Sequence, residues 1–268
     1  MQFDHFIKYA CSARGLNWRK YRRASRKRVQ QRILSLGLRG YGDYLSYLDN
    51  HPQEAAELPN LLRVTVTRFF RDQSCWQQLA KQILPGLLSQ SKDRTLKTMC
   101  IGSCGGEEPY SLALTWTEYI RPRFPHRKIM LTAVEMDTAS LERSRKAEYK
   151  EKTLREVPQE IKDKWFAPVK GGYMVKQEIK DMVDFKQLDF LKDVLPGNQD
   201  LLLCRNLVFT YFQDGRLRAA CKKLEQVLNQ DGILMIGQKE SLGSEGEEFF
   251  RLLAENFCFY EKRVKFGI

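Results

Sequence analysis

From about residue 96 onward the chain alternates short apolar runs with longer stretches of helical spacing, and few architectures can accommodate that pattern. The apolar runs fall at 96–102 (LKTMCIG), 128–137 (KIMLTAVEMD), 183–189 (VDFKQLD), 200–206 (DLLLCRN), 232–238 (GILMIGQ) and 258–266 (CFYEKRVKF). Between them, Pro109–Tyr119, Ser140–Ala147, Gly215–Leu228 and Glu245–Asn256 have helical patterning. A strand that is apolar at nearly every position must be covered on both faces, and crossover helices between parallel strands provide that cover. The alternation therefore predicts an α/β domain with a doubly wound sheet. It lapses between Tyr149 and Met182, where KGGYMVKQEIKDMVDF predicts a small antiparallel β excursion around Gly171 and Gly172.

The first 72 residues are helical in pattern. Phe3, Phe6 and Ile7 share one face, Val29, Ile33, Leu34 and Leu36 repeat at helical spacing, and Gly37 and Gly40 end that second helix. The sequence thus divides into a basic helical domain (1–72), a helical linker (73–92) and the α/β domain (93–268) with its insertion near 150–182.

Across its 268 residues the chain carries a net charge of +12, which favours an acidic partner. The charge is concentrated between Arg14 and Arg39, where RGLNWRKYRRASRKRVQQRILSLGLR is either a solvated helix face or a docking surface. No run approaches the roughly 18 apolar residues of a membrane span, and MQFDHFIKYA lacks the layout of a signal peptide, so residence in the cytoplasm is the expectation. The seven cysteines are odd in number and scattered, which fits reduced thiols. Cys100 and Cys104 have no second pair to complete a zinc set, so no metal site is expected.

The chemistry gathers at the ends of the apolar runs. CIGSCGGEEPY (100–110) places Gly102, Gly105 and Gly106 between a strand and a helix that starts near Pro109. Such a turn lets a ligand approach the backbone closely. It matches neither phosphate-binding template, and Glu107 and Glu108 at a helix N-terminus would repel a phosphate. A cationic, phosphate-free nucleoside such as S-adenosylmethionine suits it better. The second strand ends in Val134-Glu135-Met136-Asp137, where Glu135 would accept ribose hydroxyls and Asp137 either does the same or caps the next helix. Asp189 and Phe190 end the third strand, suited to an adenine amino group and ring. Arg205 and Asn206 end the fourth.

These residues, with several others, resemble the chemotaxis-receptor glutamate methyltransferase (CheR-type) family nearly end to end. The specific pieces are Thr65-Val66-Thr67-Arg68-Phe69-Phe70-Arg71, Gly106-Glu107-Glu108-Pro109-Tyr110-Ser111, Glu135-Met136-Asp137-Thr138 and Cys204-Arg205-Asn206, supported by VKQEIKDMVDF, GILMIGQKESL, and Arg28 and Arg32 followed by LGL. The resemblance implies a class I, Rossmann-like methyltransferase sheet with an antiparallel last strand, and S-adenosylmethionine as the methyl donor. It implies cofactor contacts at Thr65, Thr67, Arg71, Gly102, Glu108, Glu135, Asp189, Phe190, Arg205 and Asn206, with Thr65 to Arg71 closing the site from the small domain. It also implies docking of an acidic helical substrate, such as the cytoplasmic part of a receptor, at Arg22, Arg26, Arg28 and Arg32. The chain departs from the family in having Thr65 and Asp189 in place of Asn, Glu135 in place of Asp, and Gln238-Lys239-Glu240 in place of His-Ser-Glu. LVFTYF after Asn206 is one residue longer than usual, and the Gly171 insertion is short. Tyr211 is then either an orienting group for substrate or a core tyrosine.

The activity implied is methyl esterification of protein glutamates. The alternatives are an O- or N-methyltransferase acting on a peptide, small molecule or RNA, or a regulator that binds S-adenosylmethionine without turnover. Nucleic acid ranks low, because no basic stretch is interleaved with aromatics and the Asn/Asp-Pro-Pro-Tyr signature is missing.

Overall fold

The computed structural model describes residues 1–18, 23–62, 67–90, 95–253 and 258–263. They form two units: Met1–Thr65 with Leu207–Ala219, and Val66–Asn206 with Ala220–Ile268. In the first unit, α1 (Phe3–Ser12), α2 (Arg23–Ser35), α3 (Tyr41–Asn50) and α4 (Pro52–Leu62) bury Phe6, Ile7, Ala10, Val29, Ile33, Tyr44, Leu48, Leu58 and Leu62. Helix α2 contributes only a narrow apolar stripe, yet its polar residues also hold the unit together. Ser25 Oγ donates to the Leu62 carbonyl at 2.7 Å and Arg28 Nε to that of Leu61 at 2.9 Å, so both satisfy the open carbonyls at the end of α4. Arg32 forks onto Glu54 at 2.9 and 2.5 Å, and Tyr44 Oη donates to the same carboxylate at 2.7 Å.

Leu207–Ala219 joins this unit through backbone pairing. The Asn17 amide donates to the Tyr211 carbonyl at 2.8 Å, and the Gln213 amide to that of Gly15 at 3.0 Å. Gly15 has φ 62, and a Cβ there would lie 2.9 Å from Arg216 Cβ, so the crossing depends on glycine.

The second unit is built on a seven-stranded sheet. Its strands are β1 (Thr95–Ile101), β2 (Lys128–Glu135), β6 (Val183–Gln187), β7 (Gln199–Leu203), β8 (Leu228–Met235), β9 (Phe250–Leu252) and β10 (Phe259–Lys262). The order is β6-β2-β1-β7-β8-β10-β9. The first five are parallel, and β10 runs antiparallel between β8 and β9. Chain order reverses between β1 and β7, so the carboxyl ends of β1, β2 and β7 flank a topological switch point, where such sheets bind ligands. Helices α7 (Glu107–Thr115) and α8 (Thr138–Lys146) follow β1 and β2. The insertion forms a separate three-stranded sheet, β3-β5-β4, from β3 (Glu148–Tyr149), β4 (Phe166–Val169) and β5 (Gly172–Val175), with Gly171 at φ 91 in the hairpin turn.

Four expectations are revised. The boundary falls between Thr65 and Val66, earlier than residue 72, because Phe69 and Phe70 bury in the sheet unit's core. Residues 73–90 are not a free linker. In α5 (Gln73–Gln78), the π turn Leu79–Ile83 and α6 (Leu84–Gln90), Trp76, Leu79, Ile83, Leu84, Leu87 and Leu88 pack into that core. The helix expected over Glu245–Asn256 is a short helix, Gly243–Glu247, followed by edge strand β9, whose backbone is taken up by pairing with β10. Cys75 and Cys258, 183 residues apart, form a disulfide at a Cα separation of 6.7 Å, within bridging range. The other five cysteines are not disulfide-bonded, which leaves the reduced-thiol reading to them.

Candidate active site

After β1 the chain turns sharply. Gly102 (φ 69), Cys104 (φ 49) and Gly106 (φ 89) are all left-handed, and the Gly102 and Ser103 amides both donate to the Val134 carbonyl, at 2.9 and 3.1 Å. The turn is held from outside by Tyr149 Oη, which donates to the Gly105 carbonyl at 2.6 Å, and by Ser144 Oγ, which donates to that of Cys104 at 3.0 Å. At Gly105 the Arg143 guanidinium lies against the backbone, where a Cβ would displace it. Glu135, buried at the end of β2, ties the two strand tips together. Its Oε2 accepts the Cys104 amide at 2.9 Å, and its Oε1 accepts the Met136 and Asp137 amides at 2.9 and 3.0 Å. Asp137 instead caps α8, accepting the Ser140 amide at 2.8 Å, so the capping alternative is the one the structure shows.

The acid pair at the start of α7 splits. Glu107 is buried, and its Oε2 has no hydrogen-bond partner among the described residues; the same is true of Ser103 Oγ. Glu108 turns toward Arg205, with Oε2 3.2 Å from Nη1. Burial pushes both carboxyls above their ordinary range; for Glu108 the Arg205 guanidinium opposes this and the nearby Glu240 reinforces it. Unpaired polar atoms withdrawn from water are costly. A bound group that offers donors and positive charge beside this turn would satisfy them, and the ammonium of S-adenosylmethionine fits that description.

Arg205 is the hub of a second cluster. Its side chain is 2 % exposed, and Nη2 donates to Asp72 Oδ2 at 2.8 Å and to the Arg71 carbonyl at 2.7 Å. The guanidinium also lies over the Trp76 ring, 5.5 Å from its centroid. Phe70 (φ 50) and Asp72 (φ 63) hold left-handed backbones on either side of Arg71. Such strain is retained where the surroundings over-determine it, and it clusters at functional sites. Asn206, also left-handed, donates its amide to Glu240 Oε2 at 2.7 Å.

Arg71, Glu108 and Arg205 therefore meet, and the turn that begins at Gly102 meets the end of β2 through Val134 and Glu135. Asp189 holds its own turn, with Oδ1 accepting the Leu191 amide at 2.9 Å, and Phe190 is buried behind it. Thr67 is half-buried, and Thr65 and Arg22 lie outside the described residues. Tyr211 is half-buried in the first unit. Of the arginines assigned to docking, Arg26 is exposed, while Arg28 and Arg32 are engaged with Leu61 and Glu54 inside their own unit. Sequence reasoning assigns no role to Asp72, whose one signal is its position immediately after the TRFFR segment, and it names Glu240 only as the last of the Gln238-Lys239-Glu240 triplet, with no cofactor role.

A doubly wound sheet with an antiparallel strand before its edge, a glycine turn after β1 and an acid closing β2 define a class I methyltransferase that uses S-adenosylmethionine. The chain belongs to the CheR methyltransferase family: residues 65–257 match the family's S-adenosylmethionine-binding domain. It is 28% identical over 252 residues to a chemotaxis protein methyltransferase of Listeria monocytogenes, covering 92% of each chain. It is 28% identical over 222 residues to that of Escherichia coli, covering 80% of this chain and 74% of the relative. Chemotaxis protein methyltransferase 2 of Pseudomonas aeruginosa is also 28% identical, over 220 residues, at 80% and 76% coverage. No described helix is long and apolar enough to cross a membrane.

Proposed function

We propose that this enzyme esterifies glutamate carboxylates on a protein, in the manner of a receptor-modifying methyltransferase, and that the residues at the strand tips hold its methyl donor. When bound, S-adenosylmethionine supplies an electrophilic methyl group on a sulfonium. In this reading Glu135 takes the ribose hydroxyls while keeping its backbone bonds, Ser103 and Glu107 take polar groups beside the glycine turn, and Asp189 and Phe190 take the adenine. Arg205 and Glu108 fix the walls. A carboxylate acceptor suits this arrangement because it is already ionised at neutral pH and needs no general base. His126, the one histidine of the second unit, precedes β2 at the opposite end of the strands from these tips. The observation that carries the reading is the buried Glu107 at the glycine turn, whose Oε2 has no hydrogen-bond partner among the described residues and which a cationic ligand would satisfy, in a chain whose relatives are chemotaxis methyltransferases. Docking of an acidic helical partner would rest on the exposed Arg26 and Lys27 of α2.

Incubation with radiolabelled methyl donor and membranes bearing chemoreceptors should label protein, and mild base should release the label as methanol. Label that resists base, or that appears on RNA, contradicts the ester.

The acid pair also predicts a pH dependence. A bound cation favours the ionised forms of Glu107 and Glu108, lowering the carboxyl values that burial had raised, so binding releases protons. Affinity for S-adenosylhomocysteine should therefore strengthen as pH rises from about 4.3, the ordinary glutamate value, through the raised values, and then level off. Calorimetry in buffers of different ionisation enthalpy would show the released protons. A flat profile over that interval would remove the cationic-ligand role of the pair.

A further inference from the structure

Asn206 ends the Arg-Asn tip of β7 in a left-handed conformation, φ 55, that few residues other than Gly and Asn adopt readily. Its amide donates to Glu240 Oε2 at 2.7 Å, and the same oxygen accepts the Gly237 amide at 2.7 Å. One carboxylate oxygen thus joins the tips of two neighbouring parallel strands. The space around it is closed, since a Cβ at Gly237 would sit 2.6 Å from Asn206 Nδ2 and 2.8 Å from Glu240 Oε2. The Asn206 side chain therefore lies packed against the Gly237 backbone, with little room to turn.

These bonds are not needed to pair the strands. The β7–β8 ladder closes at Leu203 with Met235 and at the Cys204 amide, which reaches the Met235 carbonyl at 2.9 Å. The turn at 237–240 is closed by its own backbone, with the Glu240 amide donating to the Gly237 carbonyl at 2.9 Å. What the carboxylate adds is order beyond the last ladder pair, at the point where Asn206 must present its amide.

We propose that Glu240 is a positioning residue of the cofactor site: through Oε2 it fixes the backbone of Asn206 and so aims the Asn206 side chain at the ligand. This rests on the reading of Asn206 as a cofactor-holding residue. Gln238 and Lys239 are both exposed, and Gln238 bonds to Ser74 and Asp72, so of these three residues it is Glu240 that reaches Asn206.

The test is calorimetric affinity of the full-length chain for S-adenosylhomocysteine, with melting temperature measured alongside. Asn206→Ala and Glu240→Ala should each weaken binding about tenfold, equivalent to about 1.4 kcal/mol. The double variant should bind no more weakly than the weaker single, because both remove one device. Glu240→Gln should bind within about twofold of wild type, since an amide oxygen can accept both N–H groups. Glu240→Asp, which keeps the charge but withdraws the oxygen, should melt near wild type and bind weakly, and it serves if the alanine variant does not fold. Additive losses in the double variant, wild-type affinity in Glu240→Ala or Glu240→Asp, or a glutamine variant as weak as alanine would overturn the proposal; the last would mean that the charge itself acts on the ligand. Wild-type affinity in Asn206→Ala alone would instead remove the assignment of Asn206, and the positioning role with it.

Discussion

Arg205→Ala should melt on the order of 10 °C below wild type and lose measurable affinity for S-adenosylhomocysteine. The reason is what the guanidinium leaves behind. Asp72 and Glu108 contact it at 2.8 and 3.2 Å, each only 14 % exposed. Removing one partner of a buried charge cluster costs about 3–5 kcal/mol, because the remaining charges stay out of water unpaired. For a domain of this size each kcal/mol shifts the midpoint by about 2–4 °C. Arg205→Lys should recover little of this, since one ammonium cannot reach Asp72, Glu108 and the Arg71 carbonyl together as the planar fork does. A second variant separates charge from shape. Arg205→Leu combined with Asp72→Asn and Glu108→Gln removes all three charges and should regain most of the melting temperature, while ligand binding stays lost. If differential scanning calorimetry finds Arg205→Ala within a degree or two of wild type, the cluster is not the clamp described above.

That clamp also marks where sequence reasoning stopped. Every strand of the main sheet except β9 was legible from a local pattern: apolar runs such as Leu201–Leu203, ended by polar residues that break them. The tips drew notice through their glycines and acids, and the acids turn out to have structural uses as well: Glu135, Asp137 and Asp189 each accept backbone amides at their own turns. The small sheet at Gly171 could be read from the glycine pair that turns its hairpin. Asp72 could not be read that way. It is an ordinary loop acid until Arg205, 133 positions away, is placed beside it. Glu240 acquires its role only through the amide of Asn206, 34 positions away. Strand β9 was missed because Phe249, Leu252 and Leu253 are spaced as a helix would have them, and pairing with β10 overrides that local preference. The Cys75–Cys258 bridge has no local signal at all. The basic helix α2 misled in a different way. A run of arginines looks uniform in sequence, but the partners of Arg28 and Arg32 are fixed by where α4 lies, while Arg26 stays exposed near Phe3.

Glu54 provides the sharpest test of that last point. Its carboxylate, 7 % exposed, takes both arms of the Arg32 fork and the Tyr44 hydroxyl, and these bonds hold its pKa below the ordinary glutamate value. Glu54→Ala should destabilise the protein by about 2–3 kcal/mol, the scale of hydrogen bonds to a charged group whose partners are then left unsatisfied. The sign of the pH dependence follows from the lowered value. An acid with a depressed folded-state pKa contributes its full stabilisation above its unfolded value, about 4.3 for glutamate, and loses it as pH falls through the folded value. The gap in melting temperature between wild type and Glu54→Ala should therefore be constant from neutral pH down to about 5 and narrow steadily below that. Arg32→Ala should lose stability over the same interval, because it breaks the same bonds from the other side. Arg26→Ala, altering an exposed arginine that rests near the Phe3 ring at 5.8 Å, should leave the melting temperature close to wild type and act, if at all, on methylation of an acidic protein substrate. A gap between wild type and Glu54→Ala that widens in acid would mean that the carboxyl is protonated in the native network, with Tyr44 or Arg32 bonded to its neutral form.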